Sequence, residues 1–159
     1  MDPKERTRST DPDRLDPLDN SAWSGLLRAQ AALSRELERR LMETHQMPLS
    51  TYEVLLRLAW AKEGIRMTDL AHQVNFTSGG LTRLVDRLER QGWITRTRSA
   101  TDLRGFTATI TSAGRKALKR ANRQHLADVR ELFLDKLSIE DIAALAAIWK
   151  RLGADPPPS

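Results

Sequence analysis

The most constraining stretch of this sequence runs from Met67 to Gly114, because a helical periodicity gives way there to a strand periodicity across a single glycine. Leu81, Leu84, Val85 and Leu88 fall at i, i+3, i+4 and i+7, so a helix over about residues 77–91 carries one apolar stripe that has to be buried. Gly79, Arg83, Asp86 and Arg90 point the other way, with Thr82 at the shoulder; read as a plain solvated surface helix, that face would carry an Asp86–Arg90 i,i+4 pair. Gly92 stands where a helix C′ residue is expected. Trp93–Arg98 and Phe106–Thr111 then have the β-branched, alternating character of two strands, with Phe106, Ala108 and Ile110 on one face. Between them lies a polar tip, Ser99–Gly105. Upstream, Thr68 caps a short helix that turns Leu70, Ala71 and Val74 inward, and a turn follows at Asn75-Phe76.

Helix, turn, helix and two-stranded ribbon, in that order, form a helix-turn-helix with a wing. The outward face of the second helix carries arginines, a hydroxyl and no large apolar residue. That composition suits a duplex major groove, where arginine can read guanine and any basic group can meet phosphate. An arginine on the protruding tip, Arg104, can reach a narrow minor groove while Asp102 holds its side chain extended. The residues this reading expects at DNA are Gly79, Thr82, Arg83, Arg87, Arg90, Arg96, Arg98, Asp102 and Arg104.

Charge distribution supports the same partner. From Arg66 to Gln124 there are twelve basic and four acidic side chains, a net of +8 within a chain of net +5, so the flanks together sum to −3. A basic centre between mildly acidic flanks is the footprint of a polyanion binder. No apolar run approaches the ~20 residues of a membrane span, and a cytoplasmic location is expected.

The remaining helices stand on either side. One begins near Asp19, Asn20 or Ser21 and runs to about Gln46 with Trp23, Leu26, Leu27, Leu33, Leu37 and Leu41 as its stripe, ended by Pro48. Ser50-Thr51-Tyr52-Glu53 resembles a capping box opening a helix whose Val54, Leu55, Leu58 and Ala59 face inward and which Gly64 closes. Beyond the wing, a helix from Thr111 or Ser112 carries Leu118, Leu126, Val129 and Phe133. A second capping box at Ser138–Asp141 opens a last helix with Ile142, Leu145, Ala146, Trp149 and Leu152 on one side. The outer stripes are too far from the small reading core to be buried by it, so a second copy of the chain is the expected cover.

The joint order of Leu81-Thr82-Arg83-Leu84-Val85-Asp86-Arg87-Leu88-Glu89, Gly92, Asp102-x-Arg104-Gly105 and Thr111-x-x-Gly114 resembles the signature of the MarR (multiple antibiotic resistance regulator) family of winged helix-turn-helix repressors. The resemblance implies a wing-tip role for Arg104, an orienting role for Asp102, and a groove-facing helix start at Thr77, Ser78, Thr82 and Arg83. Gly79-Gly80 departs from the bulkier polar residues of many members. With no cysteine in the chain, members that sense peroxide through a reactive thiol are poor guides to it.

The expected fold is mainly α with a small β-hairpin wing (α+β), a winged helix-turn-helix with flanking dimerisation helices. Its parts are a disordered arm (1–18), an N-terminal dimerisation helix (19–48), the reading lobe (49–111), C-terminal dimerisation helices (112–153) and a disordered tail (154–159). The expected function is a homodimeric, sequence-specific repressor on double-stranded DNA with a pseudo-palindromic operator, released by a small aromatic or anionic ligand. Trp23, Arg28, His45, Tyr52 and Trp60 combine stacking faces with polar tips and are the candidate ligand residues. No cofactor or metal is expected: His45, His72 and His125 are scattered singly, and Ser78-Gly79-Gly80 lacks the lysine of a phosphate loop. With no nucleophile elbow either, no enzyme is expected. The rival reading is a helical protein-interaction module or anti-regulator that uses a winged fold without binding DNA.

Overall fold

The computed structural model describes residue 11 and residues 13–74, 78–98 and 105–154. The expectations at Thr77, Asp102 and Arg104, for nearly all of the N-terminal arm and for the tail beyond residue 154 lie outside these residues, as does the side chain of Ser78. In chain order the elements are α1 (Pro17–His45), α2 (Leu49–Trp60), β1 (Ile65–Arg66), α3 (Met67–Gln73), α4 (Ser78–Arg90), β2 (Ile94–Arg98), β3 (Phe106–Ile110), α5 (Ser112–Leu132), a 3-10 turn (Leu134–Lys136) and α6 (Ile139–Arg151). Contacts divide the chain into two units, Met1–Glu36 and Leu37–Ser159, and the division falls inside α1.

In the first unit α1 presents its apolar side chains to solvent. Trp23 is 55% exposed, and Leu26 and Leu27 are exposed beside it on successive turns. In the second unit the rest of α1 buries Leu41 and ends on Gln46, whose φ of 51° lies in the left-handed region.

The core of the second unit is built where the sequence periodicity demanded it. Val54, Leu55 and Leu58 from α2, Leu70 from α3, the whole α4 stripe of Leu81, Leu84, Val85 and Leu88, and Ile94, Ala108 and Ile110 from the sheet form one buried cluster. Ala117, Leu118 and Ala121 of α5 close it. Leucines this deeply packed each contribute on the order of 2–5 kcal/mol relative to alanine.

Several local expectations are corrected. The Ser50–Glu53 box does not cap α2: the helix starts at Leu49, and the Leu49 N–H donates to the Glu38 carboxylate of α1, so a distant acid satisfies the free amide. Thr68 does not cap α3, which starts at Met67 directly out of β1 and has no side-chain cap. Gly64 does not close α2, which ends at Trp60. It adopts φ +84° where β3 passes, and a Cβ there would lie 2.6 Å from the Ala108 carbonyl oxygen.

The ribbon gains a third strand, so the antiparallel sheet runs β1-β3-β2, with Ile65 opposite Ala108 and Ile94 opposite Ile110. Phe106 does not share the burial of Ala108 and Ile110. It sits at the outer end of β3, opposite Arg98, and is exposed.

On α5 the inward face consists of Gly114, Ala117, Leu118, Ala121, His125 and Asp128, while Leu126 is exposed. Small residues hold that face because Gly114 lies against the Trp93 carbonyl, where a Cβ would collide. The Ser138–Asp141 capping box of α6 is present in full. Yet α6 has no buried residue, and Ile139 is 72% exposed.

Candidate nucleic-acid interface

Burying Leu81, Leu84, Val85 and Leu88 turns the other side of α4 to solvent, and Gly79, Thr82, Arg83, Arg87 and Arg90 are all exposed. The helix ends as the sequence requires. Gly92 takes φ +71°, its N–H reaches the Glu89 carbonyl at 2.9 Å, and the Trp93 N–H reaches the Leu88 carbonyl at 2.9 Å. These two bonds make a Schellman stop. The chain then enters β2 at a fixed angle. Thr111 locks the base of the ribbon: its N–H donates to the Trp93 carbonyl (2.9 Å), its hydroxyl donates to the Gly92 carbonyl (2.7 Å), and the same oxygen accepts from the Gly114 N–H (3.1 Å). One threonine therefore ties α4, β3 and α5 together.

The arginines of this lobe divide by what they already hold. Arg96 bridges β2 to α4, pairing with Asp86 at 2.7 Å and with Glu89 through its Nε at 2.9 Å, while its backbone N–H donates to the same Glu89 carboxylate. The hydrogen bond from Arg96 holds the Glu89 carboxyl below its usual range, and Glu89 in turn raises the guanidinium. Arg96 is therefore a brace between helix and wing. It also displaces the Asp86–Arg90 pair that a plain surface helix would carry, since Arg90 donates its Nε to the Asp86 carbonyl oxygen instead. Arg87 leans toward α2 and donates to the Thr51 hydroxyl at 3.2 Å. Arg83 and Arg98 are exposed, and neither has an ion-pair or hydrogen-bond partner among the described residues.

The candidate ligand residues are not all brought together. Tyr52 and Trp60 line one cavity of about 350 Å³ together with Glu53, Arg57 and His125. His45 borders two other depressions, and Trp23 and Arg28 belong to the first unit, where the Arg28 guanidinium donates to Ser24. Inside the cavity the Tyr52 hydroxyl donates to Asn122 at 2.6 Å, and its ring lies 4.3 Å from that of His125. Burial pushes the Tyr52 phenol up to about 12 and pulls the His125 imidazole below its ordinary value. His125 Nδ1 is buried with no partner among the described residues, and the Arg57 guanidinium stands 5.6 Å from the centre of the Trp60 ring.

Sequence reasoning named His125 only as one of three scattered histidines and passed over Asn122 and Arg57. The available signal was a histidine on the same helical row as Leu118 and Ala121, where an apolar residue would be expected. Among the described residues no group of three or more potential metal ligands comes together.

Comparison with known proteins places this arrangement. The sequence model of the MarR family matches residues 51–106, the span from α2 to the start of β3. An HTH-type transcriptional regulator of Bacillus cereus, itself described as uncharacterized, is 30% identical over 108 residues, covering 68% of this chain and 71% of that one. The crystal structure of Sco3205, a MarR family transcriptional regulator from Streptomyces coelicolor in complex with DNA, superimposes with a TM-score of 0.82 at 31% identity, covering 93% of this chain and 94% of that one. AbsC, a MarR family regulator from the same organism, gives 0.79 at 28% identity, covering 88% and 95%. These relatives are transcriptional regulators and not enzymes. The winged lobe, the Thr111 lock and this agreement along nearly the whole length lead to one conclusion: the chain belongs to the MarR family of transcriptional regulators.

Proposed function

We propose that this regulator binds double-stranded DNA sequence-specifically as a homodimer and represses from a pseudo-palindromic operator. The observation that carries the reading is the exposed face of α4, with Thr82 and Arg83 set on a helix whose opposite face is sealed in the core. In the major groove Arg83 is placed to read a base edge, Thr82 and Arg87 to meet phosphate or base, and Arg98 to meet the backbone beside the wing. Thr77, Ser78, Asp102 and Arg104 complete the interface on the strength of the family motif. Arg96 positions the wing. The Sco3205 structure, solved with DNA, supports the assignment.

A two-fold dimer would set its two recognition helices on half-sites roughly 34–36 Å apart. The exposed row Trp23, Leu26 and Leu27 on α1, and the incompletely covered Ile142, Leu145 and Trp149 on α6, support that state, since large apolar side chains left in rows are the usual mark of a surface awaiting a partner. The cavity lined by Tyr52, Trp60, Arg57 and His125 suits a small aromatic or anionic effector, offering rings to stack on and a guanidinium to pair with. Release follows if the ligand favours a lobe spacing that cannot reach both half-sites.

The test is binding to the DNA flanking the protein's own gene, with scrambled duplex as competitor, at 50 and 200 mM salt. The expected result is a discrete complex that survives competitor and weakens by ~10³ or more between the two salts if six or more phosphates are contacted. Absence of binding at low salt would move the assignment to a protein-binding winged module. Arg83→Ala is expected to cost about 1–3 kcal/mol on the operator alone if the residue reads a base, and equally on every sequence if it meets phosphate.

A further inference from the structure

In the recognition lobe Arg96 is committed to Asp86 and Glu89, while Arg87 and Arg90 donate only to neutral oxygens. The first half of α5 contrasts with Arg96. Lys116, Lys119, Arg120 and Arg123 recur at i, i+3, i+4 and i+7 on the side away from the buried row, so they form one exposed stripe. None has a carboxylate partner among the described residues, and from Leu103 to Ala127 the sequence contains no acidic residue. The four line an open depression of about 640 Å³ against His45, with their aliphatic stems as its floor and their charged ends free to project. Like charges at this spacing repel, so the stripe costs the helix stability that a bound polyanion would restore.

The stripe also lies near the C-terminal end of the recognition helix. Arg120 and His45 border a second depression with Met47 and Trp93, and Trp93 directly follows the stop of α4. A few residues on, Thr51 receives the Arg87 side chain. The corner between α1 and α2 thus touches α5 on one side and α4 on the other.

We propose that the α5 stripe is a second DNA-contact surface, which holds duplex phosphates beyond those met by the recognition helix and wing and adds affinity without adding sequence preference. This rests on the DNA-binding reading above. The occupant is the duplex because it is the one polyanion that α4 already places beside the corner, and because a row of lysines and arginines offers point charges without a shaped pocket, which suits regularly spaced phosphates.

The experiment measures Kd by fluorescence anisotropy for the full chain and for the triple variant Lys116→Ala, Lys119→Ala, Arg123→Ala, on the flanking duplex and on a scrambled duplex, from 50 to 300 mM KCl. Each lost phosphate contact removes ~0.9 from the slope of log K against log salt, so the variant should lose about 2–3 from that slope on both duplexes. The ratio between the duplexes should be preserved. Lys136→Ala, in the 3-10 turn beyond α5, removes a cation elsewhere and should leave the slope unchanged. An unchanged slope for the triple variant, with wild-type binding intact, would overturn the α5 surface alone. A slope that falls equally with Lys136→Ala, charge for charge, would also overturn it, because net charge and not contact would then be responsible. Failure of the wild type to bind either duplex would overturn both this inference and the reading beneath it.

Discussion

The lobe from α2 to the first half of α5 and the outer helices carry apolar stripes of similar length, yet they meet opposite fates. In the lobe Leu55, Leu58, Leu70, Leu81, Val85 and Leu88 are sealed against one another and against the sheet. On α1 the run Trp23, Leu26 and Leu27 is exposed, and α6 buries nothing while Ile139 and Leu152 stand in solvent. The lobe is a finished core with its polar face turned to solvent, whereas α1 turns apolar side chains to solvent and α6 leaves its own only half-covered, which on the proposed function is the surface for a second copy. On the proposed function, one molecule thereby separates a surface for DNA from a surface for another copy of the chain. The seam between the two regimes is the ion-pair cluster in which Arg40 of α1 meets Asp128 and Glu131 of α5.

That contrast can be broken most sharply at the seam. The Asp128 side chain is only 3% exposed and relies on Arg40 at 2.9 Å, with Gln124 adding one hydrogen bond. Arg40→Ala leaves a buried carboxylate without its cation and should cost about 3–5 kcal/mol, read as a lowered urea midpoint. Restoration of the midpoint by Arg40→Ala combined with Asp128→Asn would confirm the cause. Within the finished core, Leu88→Ala should cost about 2–5 kcal/mol. In the unfinished region, Leu27→Glu should leave the helix content by circular dichroism unchanged while shifting the chain toward monomer in sedimentation; an unfolded variant would show that Leu27 is buried within a single chain.

The smallest effect is one of pH. Burial depresses the folded His125 pKa, so below the ordinary value of about 6.5 the unfolded chain takes up a proton that the folded chain refuses. Stability should therefore fall as the pH drops from 7.5 to 5.5. His125→Gln should flatten that part of the melting profile.

The sequence made the lobe legible because burial repeats there with the period of the element: the i, i+3, i+4, i+7 stripe of α4 and the alternation of Ala108 and Ile110 each state which face is inside. What it concealed were interactions between residues distant along the chain. Nothing local to Ser50–Glu53 indicates that Glu38 supplies the cap to α2, and a two-residue strand at Ile65-Arg66 is too short to show alternation. The commitment of Arg96 to Asp86 and Glu89 depends on how β2 leaves Gly92, so sequence alone groups it with the exposed arginines. Tyr52 and Trp60 were identifiable as rings on one helix. Their neighbour His125, on a helix far along the chain, was brought to them only by the packing of α5 on α2.

The account stands most directly on whether the uncovered helices find a second copy of the chain. Sedimentation equilibrium of the full-length protein at micromolar concentration, without DNA, should give twice the chain mass of 18.0 kDa. A species that stays at the single-chain mass across that range would contradict the division of labour between a self-sufficient lobe and partner-dependent helices.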